Sequence, residues 1–338
     1  MIAENMPAGG FNPPSLLTTR KNPMKSRLPR GIQDTYLVTA ILVVLLAVYW
    51  WLQPKAFGVW PIAGLMAAIA PLALAAAGEA VVVINRGFDL SLAGVISIVN
   101  VIAVTLPFDG ISGALLLLVV SMAVGAAVGY INGVLVTYLK LQSLAATLAV
   151  MIILGGIAFS ILEAPGGSVN DWVVDNLTGN IFMFPQALLV LLLVWCGWVR
   201  LRRSAFGINL YAIGADERAA QLSGINVRRT RIYAYIVAGV FYSFAGIMLS
   251  AQTGTGSPIA GDPLLLMSFA AVVLGGVSLF GGTGSIFSAM VGAAILVVLI
   301  KVLFVIGISS FYTAIVQGVV IIVVVAVNSM MGRRKKEE

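Results

Sequence analysis

Followed by its apolar and polar positions, the chain divides into ten mostly apolar runs. They fall near 36–52, 61–84, 90–106, 112–137, 144–162, 184–199, 232–251, 264–280, 285–306 and 309–328. About 20 such residues carry a helix across a hydrocarbon core of roughly 30 Å. The pattern therefore predicts an all-α integral membrane protein of about ten transmembrane helices. Two runs are short and some junctions are tight, which leaves nine or eleven helices open. Three interruptions punctuate the pattern: "INRGFDLSLAG" at 84–94, "VLGGVSLFGGTGS" at 273–285, and a polar stretch at 200–231 that holds "GADERAAQLSGINVRR".

Composition supports the membrane reading. The chain is 60% hydrophobic and 10% charged, whereas soluble domains carry about 25% charged residues. Its 36 glycines in so apolar a chain indicate close helix packing in lipid, where small residues let backbones approach. With no histidine and one cysteine, Cys196, no zinc or haem site and no intrachain disulfide is expected.

Charge orients the helices. With both termini on the inner side, eighteen basic residues fall inside and Lys55 alone in an outer loop, while Lys301 lies toward the outer end of its helix. Such a bias is the positive-inside pattern. The net charge of +7 is then explained by topology and by anionic lipid headgroups. No nucleic-acid motif accompanies it, so no nucleic-acid partner is expected. The acidic loop at 163–183 and Asp262 fall outside. The first 35 residues, basic and proline-containing, lack the apolar region and cleavage site of a signal peptide. They read as a flexible cytoplasmic tail.

The interruptions hold the candidate chemistry. In 84–94 the polar residues Asn85, Arg86 and Asp89 fit either a tight turn, with Asp89 or Ser91 capping the next helix, or a broken helix beside a polar path. The glycine-rich 273–285 lacks the lysine of a phosphate-binding loop and reads as a tight helix–helix turn. Glu79 lies within an apolar run, where an acid marks either a pathway or an internally hydrogen-bonded structural group. Gly125, Gly129 and Gly133 recur every fourth residue on one helix face, for packing within the chain or against a second subunit. In 200–231, Asp216 is a helix N-cap and Gly224 a helix stop. They enclose about two turns in which Ala219 and Ala220 offer a small surface for a partner.

"GFDLSLAGVISI", "NGVLVTYLKLQSLAATLAVMIILGGIA", "YAIGADERAAQLSGINV", "AAVVLGGVSLFGGTGSIFSAMVGAAIL" and "YTAIVQGVVIIVVVAV" occur in that order. Over residues 60–328 the chain thereby resembles the permease subunits of bacterial ABC importers of the ribose/galactose type. The resemblance implies an ABC-importer permease fold in the inner membrane, paired with a second copy or a homologous permease. It also implies two ATP-binding subunits on the cytoplasmic side and a periplasmic binding protein outside. ATP and magnesium would belong to the partner, and this chain would bind no cofactor. Glu217, Arg218, Ala219, Ala220 and Gly224 match the family's cytoplasmic coupling motif. The chain departs from the family at Arg86 and at Leu141-Gln142-Ser143, which replaces a proline-bearing turn, and its N-terminal tail is long.

The implied organisation is a basic tail at 1–35, a transmembrane permease domain at 36–328 with a coupling segment at 200–231, and a charged C-tail at 329–338. A monosaccharide or polyol needs hydrogen-bonding groups along the path. Glu79, Asn85, Asp89, Ser97, Asn100 and Gln317 are the candidates. Two rivals stand beside this reading: an ABC permease for an amino acid or signalling molecule, and an ion-coupled secondary transporter with Glu79 as proton or sodium ligand. No nucleophile–base or metal constellation points to an enzyme.

Overall fold

A computed structural model describes residues 30–106 and 109–309 and positions 312, 315, 318, 319 and 322. Gln317, most of the tenth apolar run, the C-tail and residues 1–29 lie outside the described residues. Nine of the ten runs fall on helices: α1 (Arg30–Leu52), α2 (Val59–Ile84), α3 (Ser91–Thr105), α4 (Gly110–Thr137), α5 (Ser143–Ile161), α7 (Gln186–Arg202), α10 (Val227–Thr253), α11 (Asp262–Leu274) and α12 (Ile286–Val305). Between them lie three shorter helices, α6 (Asp171–Thr178), α8 (Ala205–Ala215) and α9 (Glu217–Leu222). A two-residue hairpin pairs Asn180–Ile181 with Phe184–Pro185. Among the described residues six helices are long and apolar enough to cross a membrane: α1, α2, α4, α5, α10 and α12.

The helix boundaries depart from the sequence reading in three places. Helix α1 opens at Arg30, six residues ahead of its apolar run. Helix α10 opens at Val227, taking Arg228, Arg229 and Arg231 into its first turns. The polar stretch at 200–231 also contains α8, eleven residues reading AFGINLYAIGA, whose Leu210 and Ile213 are buried. Arginines at 200, 202 and 203 mask this apolar insert from a reading by stretch averages.

Helix α2 is central, with every residue from Ile69 to Ile84 buried. Apolar positions all round suit a helix enclosed by others; α10, α12, α11 and α7 surround it. Helix α1 packs against α12 and turns Tyr36, Leu37 and Trp51 outward. Packing between α4 and α10 is closest along the glycine face. A Cβ on Gly125 would overlap the Gly239 carbonyl and Ser243 Oγ, and one on Gly129 would overlap the Tyr235 carbonyl. At Gly133 it would stand 2.8 Å from Ile232 Cα. The stripe thus faces α10 of the same chain. In lipid the hydrophobic effect gives helices little reason to associate, so dispersion between backbones this close is what holds such a pair.

One end of the molecule is stitched by backbone and amide pairs. Gly166 and Gly256 exchange N–H···O bonds of 2.9 and 3.1 Å, and Val169 N–H donates to the Gly254 carbonyl at 3.1 Å. Ser97 and Asn100, on α3, belong to this seam. Ser97 Oγ accepts from Gly261 N–H at 2.9 Å. Asn100 donates to Ser250 Oγ at 2.9 Å and to the Thr255 carbonyl at 3.1 Å, and accepts from Ser257 N–H at 2.6 Å. Every hydrogen-bonding atom of the Asn100 side chain is therefore engaged within the fold. Asn100 thereby pins α3 against the 254–261 loop.

Candidate functional site

At the opposite end of α3 the chain leaves helix for six residues, Asn85–Leu90, and buried backbone there needs partners. It finds them in side chains. Phe88 N–H donates to Ser143 Oγ at 3.3 Å, Asp89 N–H to Glu79 Oε1 at 3.3 Å, and Leu90 N–H to Thr147 Oγ1 at 3.0 Å. Ser91 N–H donates to Asp89 Oδ1 at 3.0 Å. Four consecutive amides are thus held from α2, from the first turns of α5 and from Asp89 itself, which closes the start of α3. The stretch is a turn whose irregular backbone is kept by surrounding protein; the N-cap position of α3 is Leu90, with no side-chain cap, and Asp89 Oδ1 accepts from Ser91 N–H and Oγ instead.

Glu79 is fully buried, and its second oxygen accepts from Tyr242 Oη at 3.1 Å. Both carboxylate oxygens thus accept hydrogen bonds within the fold. Asn132 extends the cluster, donating to Ser91 Oγ at 2.7 Å. The signal that could have found these partners is the pair Ser143 and Thr147, one turn apart at the start of α5.

Helix α9 is built differently. Asp216 caps it, accepting from Ala219 N–H at 3.0 Å. That bond, with smaller help from the Arg218 amide and from the Arg86 and Arg218 charges, holds the Asp216 carboxyl below its usual range. Gly224 ends the turn in the left-handed region, φ +80°, where a side chain is strained. Glu217 pairs with Arg231 at 2.8 Å. Ala219 is exposed, but Ala220 is buried against Ile213 and Val227. The expected two-alanine surface is corrected accordingly: Ala220 anchors α9 to the protein and Ala219 faces away. Leu222, 86% exposed, is a large apolar side chain on α9 that sequence reading did not single out.

The two regions touch through Arg86. Its backbone is left-handed, φ +60°, unusual for a side chain of this size. Its Nε donates to the Gly214 carbonyl at 2.7 Å and its Nη2 to the Ala215 carbonyl. These are the last carbonyls of α8, immediately ahead of the α9 cap, where a cation suits the helix end. The glycine-rich loop completes the junction. Gly282 N–H donates to the Ile84 carbonyl at 2.9 Å, and a Cβ on Gly214 would overlap that same carbonyl. The two glycine-bearing interruptions of the sequence therefore meet at the root of α9, and Arg86 bonds the break to the helix.

Residues 61–325 match a family described as branched-chain amino acid transport system / permease component. The chain belongs to this permease family. Among its relatives is the ribose import permease protein RbsC of Escherichia coli (strain K12), 33% identical over 286 residues, covering 82% of this chain and 88% of that protein. RbsC of Haemophilus influenzae is 31% identical over 87% and 93% of the two chains. The galactose/methyl galactoside import permease protein MglC of Salmonella typhimurium is 28% identical over 88% and 95%. No solved structure matches. As a permease component the chain is a multi-pass transport subunit and not an enzyme.

Proposed function

We propose that this chain forms the translocation path of an ATP-driven importer for a monosaccharide or related polyol. On this reading it lies in the bacterial inner membrane with ten spans and both termini in the cytoplasm. It pairs with a second permease, receives substrate from a periplasmic binding protein, and is moved by ATP-binding subunits docked on α9. ATP and magnesium stay with those subunits.

The observation that carries this is the junction at Arg86. An exposed, capped helix is bonded at its root to the break between two buried helices. A push on Ala219, Arg218 or Leu222 reaches the α2–α3 turn through Arg86 and the Gly282–Ile84 bond. Alternating access needs such an element with two positions. For Glu79 we infer a structural role, accepting from Asp89 N–H and Tyr242, and not an ion-coupling one. Ser97 and Asn100 leave the list of path candidates; Asn85 and Asp89 remain on it.

The sugar reading is supported by the names of the RbsC and MglC relatives, matched over most of their length. The family's description favours a second reading, a branched-chain amino acid. Uptake by vesicles holding the chain with its ATPase and binding protein separates them. Ribose or galactose should accumulate with ATP, unaffected by excess leucine. Accumulation of leucine with no sugar uptake would overturn the sugar reading.

A further inference from the structure

Between α6 and α7 the chain turns back in a hairpin whose tip is Phe182 and Met183, with Asn180 opposite Pro185 and Ile181 opposite Phe184. Both tip residues are left-handed, at φ +46° and +70°. Two-residue turns of that kind favour Asn-Gly or Asp-Gly, because a large side chain is strained there. Phe182 is nevertheless 92% and Met183 74% exposed, and Ile181 and Phe184 stand exposed beside them. No charge falls between Asn180 and Pro185. In water this strained turn gains nothing from its side chains, so the tip marks a surface that something apolar covers.

The level of the tip in the molecule says what covers it. Asn180 Nδ2 donates to the carbonyl of Val59, the first residue of α2, at 3.4 Å. The far end of α2, Ile84, meets the root of α9 through Gly282. The hairpin therefore stands at the end of the molecule away from α9, where α2 and α7 both begin. Trp51 near the end of α1, Trp60 near the start of α2 and Trp172 on α6 are exposed at this same end, and Lys55 is exposed between α1 and α2. Exposed tryptophans and a lysine at the ends of spans mark the headgroup layer. From the tip the apolar surface continues along α7 through exposed Leu189, Leu192 and Leu193, side chains suited to hydrocarbon.

We propose that the 180–185 hairpin is an interfacial anchor, with Phe182 and Met183 seated at the boundary of headgroups and acyl chains. Its partner is the lipid leaflet at that end of the molecule. Removing both side chains from water there offsets the left-handed turn. The anchor fixes the level of α7 in the bilayer. It rests on the multi-pass membrane placement and not on the transport reading, so either can fail alone.

The test is the accessibility of a nitroxide on Met183→Cys, in a Cys196→Ser background, with the full chain in nanodiscs of phosphatidylcholine and phosphatidylglycerol. Collision with oxygen, which concentrates among acyl chains, is compared with collision with a water-soluble nickel chelate. The oxygen-to-chelate ratio at 183 should exceed, at least fivefold, the ratio at a nitroxide on Asp175→Cys, an exposed position on α6. Adding Phe182→Asp should raise chelate collision at 183 at least threefold and leave position 175 as it was, whereas Phe182→Trp should change neither. A tip as open to the chelate as position 175 would overturn the anchor. Low collision with both reagents, the mark of a second copy or another protein over the tip, would overturn it too. Chelate collision at 183 that is high in the chain alone and falls when a binding protein is added would assign the tip to that protein instead of to lipid.

Discussion

The break at Asn85–Leu90 and helix α9 are each six residues long, and each interrupts an apolar chain with charge and polarity. The break is drawn inward. Asp89 is 1% exposed, and the amides of residues 88–91 are held by side chains of α2, α5 and Asp89. Helix α9 is pushed outward and is held by one cap, one ion pair and the apolar contact of Ala220. A partly exposed ion pair at the surface contributes little, about 0–1 kcal/mol. The difference separates a joint enclosed by its partners from a helix left largely exposed. Arg86 is the bond between them.

The sharpest way to break this contrast is Glu79→Ala. It leaves Tyr242 Oη and Asp89 N–H unpaired in a buried site, at about 1–3 kcal/mol each, so the unfolding midpoint in detergent should fall steeply. Glu79→Gln keeps an acceptor and should retain ATP-driven uptake. Loss of uptake in a stably folded Glu79→Gln protein would return the residue to a transport role. Gly224→Pro acts on the other region. Proline fixes φ near −65° where the chain needs +80°, and it deletes the N–H that donates to the Gln221 carbonyl at 3.0 Å. Uptake should drop at least tenfold, with stability changed by less than about 1 kcal/mol, because α9 lies outside the core.

Arg86→Gln tests the link itself. Losing charge-assisted bonds at a partly exposed site should cost about 1 kcal/mol. Uptake should fall several-fold while the partner's ATP hydrolysis continues, the signature of a loosened coupling. The smallest expected effect concerns pH. Because the folded carboxyl of Asp216 titrates below its ordinary value of 3.8, its cap is fully present above that value and is lost only as pH falls through the lowered one. Hydrogen exchange of residues 217–222, corrected for intrinsic rate, should therefore be flat from pH 8 to pH 5.

Runs of apolar residues placed nine helices because a membrane span depends only on local composition. The same averaging hid α8, whose eleven mostly apolar residues stand beside three arginines. Asp216 and Gly224 were legible as the ends of α9 because capping is local too. What a cap pattern does not carry is direction, so Ala219 and Ala220 looked alike until packing against Ile213 and Val227 told them apart. The partners that decide the site are remote in sequence: Arg86 lies 128 residues from Gly214 and Glu79 lies 163 from Tyr242. Polarity within α3 suggested a path at Ser97 and Asn100, and it could not show that the 254–261 loop, remote in sequence, hydrogen-bonds to both.

The central claim is that this chain has no drive of its own and is moved from outside through α9. Reconstituting it in liposomes, alone and with its ATP-binding subunits and binding protein, tests that most directly. Sugar should accumulate only when all components and ATP are present, and an imposed proton or sodium gradient should do nothing for the chain alone. Uphill accumulation by the chain alone on such a gradient would contradict the account.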